Sequence, residues 1–355
     1  MRGLLAGWLS VAALLCGSVS AGETAHDLGL LSTPVEDSPP SGGSTVRLVS
    51  NAPAYNWYHG CGPTAAATIV GYYDMLGYSS LFNASGWDQI RLTGNVKDHI
   101  SSPAHNAKYD PTPDNPSLPT PPNTSLACWF QTSVDPQQYG WSSLSCSDDA
   151  FIGYITSKGY ECSSWYQSYG PTRFTWQKLV NEIDSGRPML FLVDTDGNGS
   201  TDHFIPVIGY DARADGGYYA CYTTWSEDED VSWYKFRAMG SAWGVGYATY
   251  VTISARGGDA NRDGAIDVGD LGILAGNWES AGMSWEQGDF NGDGVVDAGD
   301  LGILAGNWNL PPGESSGGGI NNAPEPAGAM LLTVGFFTLF RRTGSKRAAA
   351  ERSPH

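Results

Sequence analysis

Asn56-Trp57-Tyr58-His59-Gly60-Cys61-Gly62-Pro63-Thr64-Ala65-Ala66-Ala67 sets a cysteine just ahead of an apolar run with helical spacing. Ala66, Ile69, Val70 and Tyr73 fall on one face of a helix predicted over 64–76, and Gly77 stops it. A thiol at a helix N-terminus meets the positive end of the helix dipole and unpaired amides. Both favour the thiolate, which is the nucleophilic form. The competing reading of Cys61 is a half-cystine or an inert thiol in a well-capped helix.

A nucleophile of this kind needs a base. Asp202-His203-Phe204-Ile205-Pro206-Val207-Ile208-Gly209-Tyr210 supplies an imidazole at the mouth of an apolar strand. From there His203 can face a helix N-terminus across a cleft and form a thiolate–imidazolium pair. His26, His99 and His355 read as residues of polar or terminal surroundings, and His105 as part of a Pro/Asn-rich loop over 102–125. His59 sits too near Cys61 along the chain to turn freely toward it and reads as a wall residue. The aromatic group Trp225, Trp233, Tyr234, Phe236 and Trp243 reads as core and cleft wall rather than a sugar platform.

The order of these motifs carries a resemblance. The Gly60-Cys61-Gly62-Pro63-Thr64 segment, a helix ending at Ile183 with Gly186-Arg187-Pro188 before a strand, and His203 opening the next strand resemble papain-fold cysteine peptidases. Within them the chain is similar to the bacteriocin-processing (double-glycine) peptidase-like family over roughly 50–253. The resemblance implies an α+β fold: a helical lobe carrying the cysteine, a lobe of antiparallel strands carrying the histidine, and attack on an amide carbonyl of a peptide or protein substrate. Papain-like enzymes place an oxyanion-stabilising Gln six residues before the cysteine. That position is Tyr55 here, which leaves Asn56 as the amide donor. In Cys221-Tyr222-Thr223-Thr224-Trp225 the tryptophan resembles the one that follows the papain asparagine by two, which puts Thr223 in the histidine-orienting role, with Asp202 and Asp228 as alternatives. A threonine accepts a hydrogen bond but does not offset an imidazolium charge. A second reading follows: a catalytically inactive papain-fold surface module that binds peptide or glycan in an extracellular assembly.

Downstream, the segment from Asp259 to Trp278 recurs thirty residues later, from Asp289 to Trp308. Asp259, Asn261, Asp263, Asp267 and Asp270 place side-chain oxygens at positions 1, 3, 5, 9 and 12 of a loop, Gly264 makes the turn at position 6, and Ala265 offers its carbonyl at position 7. Asp289, Asn291, Asp293, Val295, Asp297 and Asp300 repeat the set. Six or seven hard oxygens at this spacing suit Ca²⁺, with Asp closing the loop where EF-hands use Glu. The duplicated loop–helix units resemble dockerin type I modules, which implies a small all-α, calcium-dependent domain and a cohesin-like partner. The positions that are often Ser/Thr in cellulosomal dockerins read Val268-Gly269 and Ala298-Gly299. Ten acidic residues from Asp259 to Asp300 against Arg262 mean that the segment repels itself without metal. A further stretch, Asp194-Thr195-Asp196-Gly197-Asn198-Gly199-Ser200-Thr201-Asp202, reads first as a hairpin turn; the alternative is a third calcium loop at 194–202.

The chain has 355 residues and a net charge of −18, an acidic balance that excludes nucleic acid as a partner. A basic start, the apolar run 4–15 and Val19-Ser20-Ala21 read as a signal peptide over 1–21, hence export. Pro324-Glu325-Pro326, the apolar run 327–340 and terminal arginines resemble a PEP-CTERM sorting signal, which implies an exosortase and delivery to the exterior or cell envelope through a transient membrane stop. The expected order is thus signal peptide 1–21, linker 22–46, peptidase-like domain 47–256, calcium module 257–309, linker 310–323 and sorting tail 324–355. In an oxidising compartment Cys128, Cys146, Cys162 and Cys221 are expected to form disulfides, in any of three connectivities.

Overall fold

The computed structural model describes residues 24–25, 46–84, 86–108, 124–214, 216–225 and 230–310. The signal peptide, the sorting tail, nearly all of both linkers and Asp228 lie outside the described residues. In chain order the elements are β1 (Thr24–Ala25), β2 (Val46–Leu48), α1 (Cys61–Met75), α2 (Trp87–Ile90), α3 (Gly94–Ile100), α4 (Pro103–Lys108), α5 (Leu126–Trp129), β3 (Ser142–Ser143), α6 (Ser147–Ser157), β4 (Glu161–Ser168) and α7 (Trp176–Asp184). They continue as β5 (Met189–Asp194), β6 (His203–Arg213), β7 (Gly216–Cys221), β8 (Ser232–Lys235), β9 (Gly244–Ser254), α8 (Val268–Gly276) and α9 (Ala298–Gly306).

Five of the helices, α1–α5, cluster ahead of most of the strands, and β5–β9 follow one another without an intervening helix, the segregation of an α+β chain. β2 and β4–β9 form an antiparallel sheet of order β4-β9-β5-β6-β7-β8, and β2 pairs β6 beyond the end of β5. Side chains alternate between its faces. Leu190, Leu192, Phe204, Ile208, Val251 and Ile253 join α1, α5 and α6 in one core. Met189, Phe191, Val193, Ile205, Val207 and Tyr250 join Leu179 and Ile183 of α7 in a second. Covered on both faces, β5 and β6 read as the unbroken apolar runs seen in the sequence.

Helix α1 starts earlier than periodicity predicts, at Cys61 itself. Gly62 and Pro63 occupy the first turn, where a missing N–H costs nothing. The Pro/Asn-rich stretch is not all loop, because Pro103–Lys108 forms α4. The expected disulfides are absent: none of the five described cysteines is joined to another. β4, with Cys162, and β7, with Cys221, are separated by β9, β5 and β6. At about 4.8 Å per strand they stand some 19 Å apart, far beyond disulfide reach. Cys128 Sγ instead lies 3.2 Å from Ser125 Oγ.

The repeat segment folds into two loop–helix units around Ala260, Ile266, Leu274, Phe290, Val296 and Leu304. Its first loop is pressed against the larger domain. Tyr160 Oη donates to Arg262 O at 2.8 Å, Ser80 Oγ bonds Asp263 O, and the Arg262 guanidinium lies 5.4 Å from the Tyr78 ring centre. Gly159 leaves no room for a Cβ against the Gly264 carbonyl. Among the described residues no helix is long and apolar enough to cross a membrane.

Candidate active site

Cys61 is the first residue of α1 and wholly buried. Its N-cap, Gly60, has φ +142 and, being a glycine, brings no side-chain cap to the first turn of α1. Glycine is required there: a Cβ would lie 2.7 Å from Thr132 Cγ2 and 2.9 Å from the Gly140 carbonyl. Thr64 locks the preceding loop onto the helix, its Oγ1 donating to Gly60 O at 2.6 Å and accepting the Tyr58 N–H at 3.0 Å.

His203 opens β6, paired with Val193, and is 1% exposed. Its Nε2 lies 2.9 Å from the Thr223 carbonyl and 3.3 Å from Thr224 Oγ1. A carbonyl only accepts, so Nε2 carries the hydrogen and Nδ1 keeps the lone pair. That is the tautomer a proton acceptor needs. The Trp225 ring stacks on the imidazole at 4.8 Å and 22°. Two contacts bring the cysteine and histidine segments to the same end of the molecule: α1 packs on β6, and the Trp57 N–H donates to the Thr224 carbonyl at 2.6 Å.

The sequence-predicted residues fare unequally. Thr223 does stand beside His203, but through its backbone carbonyl; its side chain accepts from the Trp225 N–H at 3.4 Å. Sequence reasoning missed Thr224, whose hydroxyl faces the imidazole. Asn56 is half-buried on the segment before Cys61. Tyr55, at the position of the papain glutamine, points away: its hydroxyl donates to Ile90 O at 2.7 Å and lies against Gly71, near the far end of α1. The alternative Asp202 is occupied by Thr195, accepting from its N–H at 3.0 Å and from its hydroxyl at 2.6 Å.

His59 has φ +57, bonds the Tyr139 hydroxyl through Nδ1 and packs edge-on to Tyr58, and burial lowers its pKa. His99 is half-buried with both apolar and polar neighbours: it stacks on Phe82 at 5.3 Å, its Nδ1 meets Tyr154 Oη at 3.0 Å and Lys158 Nζ at 3.4 Å, and burial, with Lys158 nearby, pushes its pKa down to about 4. His105, by contrast, is fully buried, with Nε2 2.8 Å from the Thr132 carbonyl and a pKa pushed to about 4 by burial. Tyr234 and Trp243 stack at 4.1 Å within the second core, as the core reading of the aromatics expects.

A family model, the Peptidase_C39 like family, matches residues 49–246. The chain belongs to that family. No curated protein sequence matches it. The C39-like match and the helices packed on an antiparallel sheet support a papain-like cysteine peptidase domain with a peptide or protein as its class of substrate. The C39-like domain takes in Cys61, His203 and Thr223–Trp225.

Outside that domain, the repeat loops fold back on their own carboxylates. The Gly264 and Gly294 amides donate to Asp259 and Asp289 at 3.1 and 2.9 Å, and Asp267 and Asp297 cap α8 and α9. Burial, with Asp270 and Asp263 close by, raises the Asp259 pKa to about 7. Arg262, the cation within the first loop, pairs instead with Glu286. An all-oxygen set of crowded carboxylates suits a hard divalent cation. The 194–202 stretch is the β5–β6 hairpin, as first read, and carboxylate oxygens of Asp194, Asp196 and Asp202 lie within 4.8 Å of one another.

Proposed function

We propose that this protein is an exported thiol peptidase that hydrolyses peptide bonds through Cys61 and His203. The observation that carries the reading is the 2.9 Å hydrogen bond from His203 Nε2 to the Thr223 carbonyl, which leaves Nδ1 as the proton acceptor. His203 takes the Cys61 proton at Nδ1, and the thiolate attacks the scissile carbonyl. The oxyanion is met by backbone amides at the start of α1, with Asn56 as the candidate side-chain donor. His203 then protonates the leaving amine, and water hydrolyses the acyl-enzyme.

In the same proposal residues 257–309 are a dockerin-like module that tethers or assembles the peptidase. Asp259, Asn261, Asp263, the Ala265 carbonyl, Asp267 and Asp270 would hold one Ca²⁺, and Asp289, Asn291, Asp293, the Val295 carbonyl, Asp297 and Asp300 a second. The ion supplies the charge that lets these carboxylates stay ionised and close together. Asp194, Asp196 and Asp202 are the candidate ligands of a third. A cohesin-like protein is the proposed partner. The signal-peptide and PEP-CTERM-like patterns in the sequence support delivery outside the cell or to the envelope, with exosortase cleavage of the tail, as part of the same proposal.

The second reading, a non-catalytic module that binds peptide or glycan, is favoured by two specifics: Cys61 is fully buried, and neutral oxygens stand where a carboxylate or amide would orient the histidine. One experiment separates the two. The full chain in Ca²⁺ is treated briefly with an epoxide-type thiol-peptidase inhibitor near pH 6.5 and mapped by mass spectrometry beside His203→Ala. Labelling of Cys61 that disappears in the variant is expected; no labelling overturns the peptidase in favour of the binding module.

A further inference from the structure

Thr224 is buried to 1% exposure and holds φ +64, a left-handed conformation that strains a β-branched residue. Three contacts radiate from this turn. The carbonyl before it lies 2.9 Å from His203 Nε2, its own hydroxyl 3.3 Å from the same nitrogen, and its own carbonyl accepts the Trp57 N–H at 2.6 Å. The next residue, Trp225, stacks its ring on the imidazole. A right-handed residue at 224 would reverse the local chain direction and separate the Thr223 carbonyl from His203 or the Thr224 carbonyl from Trp57. The strained turn is therefore what lets one short segment hold the histidine and reach the cysteine loop together.

We propose that Thr224 is the positioning residue of this site, supplying with the Thr223 carbonyl the anchor that an asparagine or aspartate side chain would otherwise give His203. The inference rests on the Cys61–His203 reading. When the proton passes from Cys61 Sγ to His203 Nδ1, the Nε2–H stays shared between a carbonyl and a hydroxyl. Two neutral acceptors stabilise the imidazolium, and the ring does not flip, because flipping would break both bonds.

The test is the rate of Cys61 alkylation by iodoacetamide, mapped by mass spectrometry from pH 5 to 9 on the full chain in Ca²⁺. The parent is compared with Thr224→Val, Thr224→Ser, Thr224→Gly and His203→Ala, with a melting curve for each. Thr224→Val is expected to lose about tenfold in rate at pH 6, its labelling onset moving up by about one pH unit, while Thr224→Ser keeps the parent profile. Thr224→Gly adopts the same φ without strain and lacks the hydroxyl, so its labelling should follow Val while its melting does not fall; it decides the matter if Val does not fold. Parent-like profiles in Val and Gly overturn the positioning role alone. A parent labelled no faster than His203→Ala overturns the peptidase reading and this role with it.

Discussion

The backbone N–H of Trp57 donates to the carbonyl of Thr224 at 2.6 Å, joining the segment that leads into Cys61 to the segment that holds His203. The two segments are 167 residues apart in sequence, 224 less 57, so nothing local predicts the bond. It ties the loop ahead of Cys61 to the turn beside His203 at the backbone level, where side-chain identity does not supply the contact.

Gly60→Ala should damage both fold and site. The residue would hold φ +142 with its Cβ against Thr132 and Gly140. A cost of about 1–3 kcal/mol is expected in chemical denaturation, together with slower labelling of Cys61. A variant as stable and reactive as the parent would show that the start of α1 tolerates displacement.

Asp74, near the C-terminal end of α1, accepts the Phe82 N–H at 2.8 Å, and burial raises its pKa to about 6 from 3.8. The folded protein thus binds this proton more tightly than the unfolded chain, and the stability it lends is lost as pH rises from about 4 to about 6. Asp74→Asn keeps an acceptor for Phe82 and does not ionise. Its melting temperature should rise relative to the parent through that window and stay above it at pH 7, by the equivalent of roughly 2–3 kcal/mol. An advantage that shrinks as pH rises would contradict the assignment.

With Ca²⁺ in the repeat loops as proposed, its removal should unfold α8 and α9 before the larger domain, because the crowded carboxylates flank a core of only six buried apolar residues. Trp285 reports it: its Nε1 donates to the Asp259 carbonyl at 2.8 Å. A chelator should change the tryptophan emission of the parent more than that of Trp285→Phe. Equal changes in the two proteins would place the metal elsewhere.

Tyr160→Phe removes the hydroxyl that donates to Arg262 O and accepts the Ser80 N–H at 3.0 Å. About 1 kcal/mol should be lost, and the loss should shrink once chelator has melted the repeat loops. A chelator-insensitive loss would mean that the Ser80 contact alone matters.

The parts of the site legible in sequence are those with local signatures. His203 opens a strand where the apolar pattern predicts it, and Cys61 stands at a helix N-terminus as predicted, though the helix begins at Cys61 itself rather than at Thr64. The orienting group was legible only to the nearest segment, because a backbone carbonyl carries no mark in residue type and Thr224 is told from Thr223 only by its φ of +64. His105 departs from its sequence reading for another reason: its Pro/Asn-rich neighbours in sequence are not its neighbours in space, where helix α4 buries it against the Thr132 carbonyl. Of the expected disulfides, a Cys162–Cys221 pairing fails on geometry, since cysteine count says nothing of which strands lie between two sulfurs.

The two repeat loops are near copies in sequence, but their surroundings differ. In the first, Arg262 and Asp263 are half-buried and Gly264 fully, against the larger domain; in the second, Asn291, Gly292 and Asp293 are exposed. An ion in each would leave along routes of different width. On dilution into chelator the two sites should empty on separate clocks, the outer loop first, so that a duplicated motif behaves as a fast sensor beside a slow clasp.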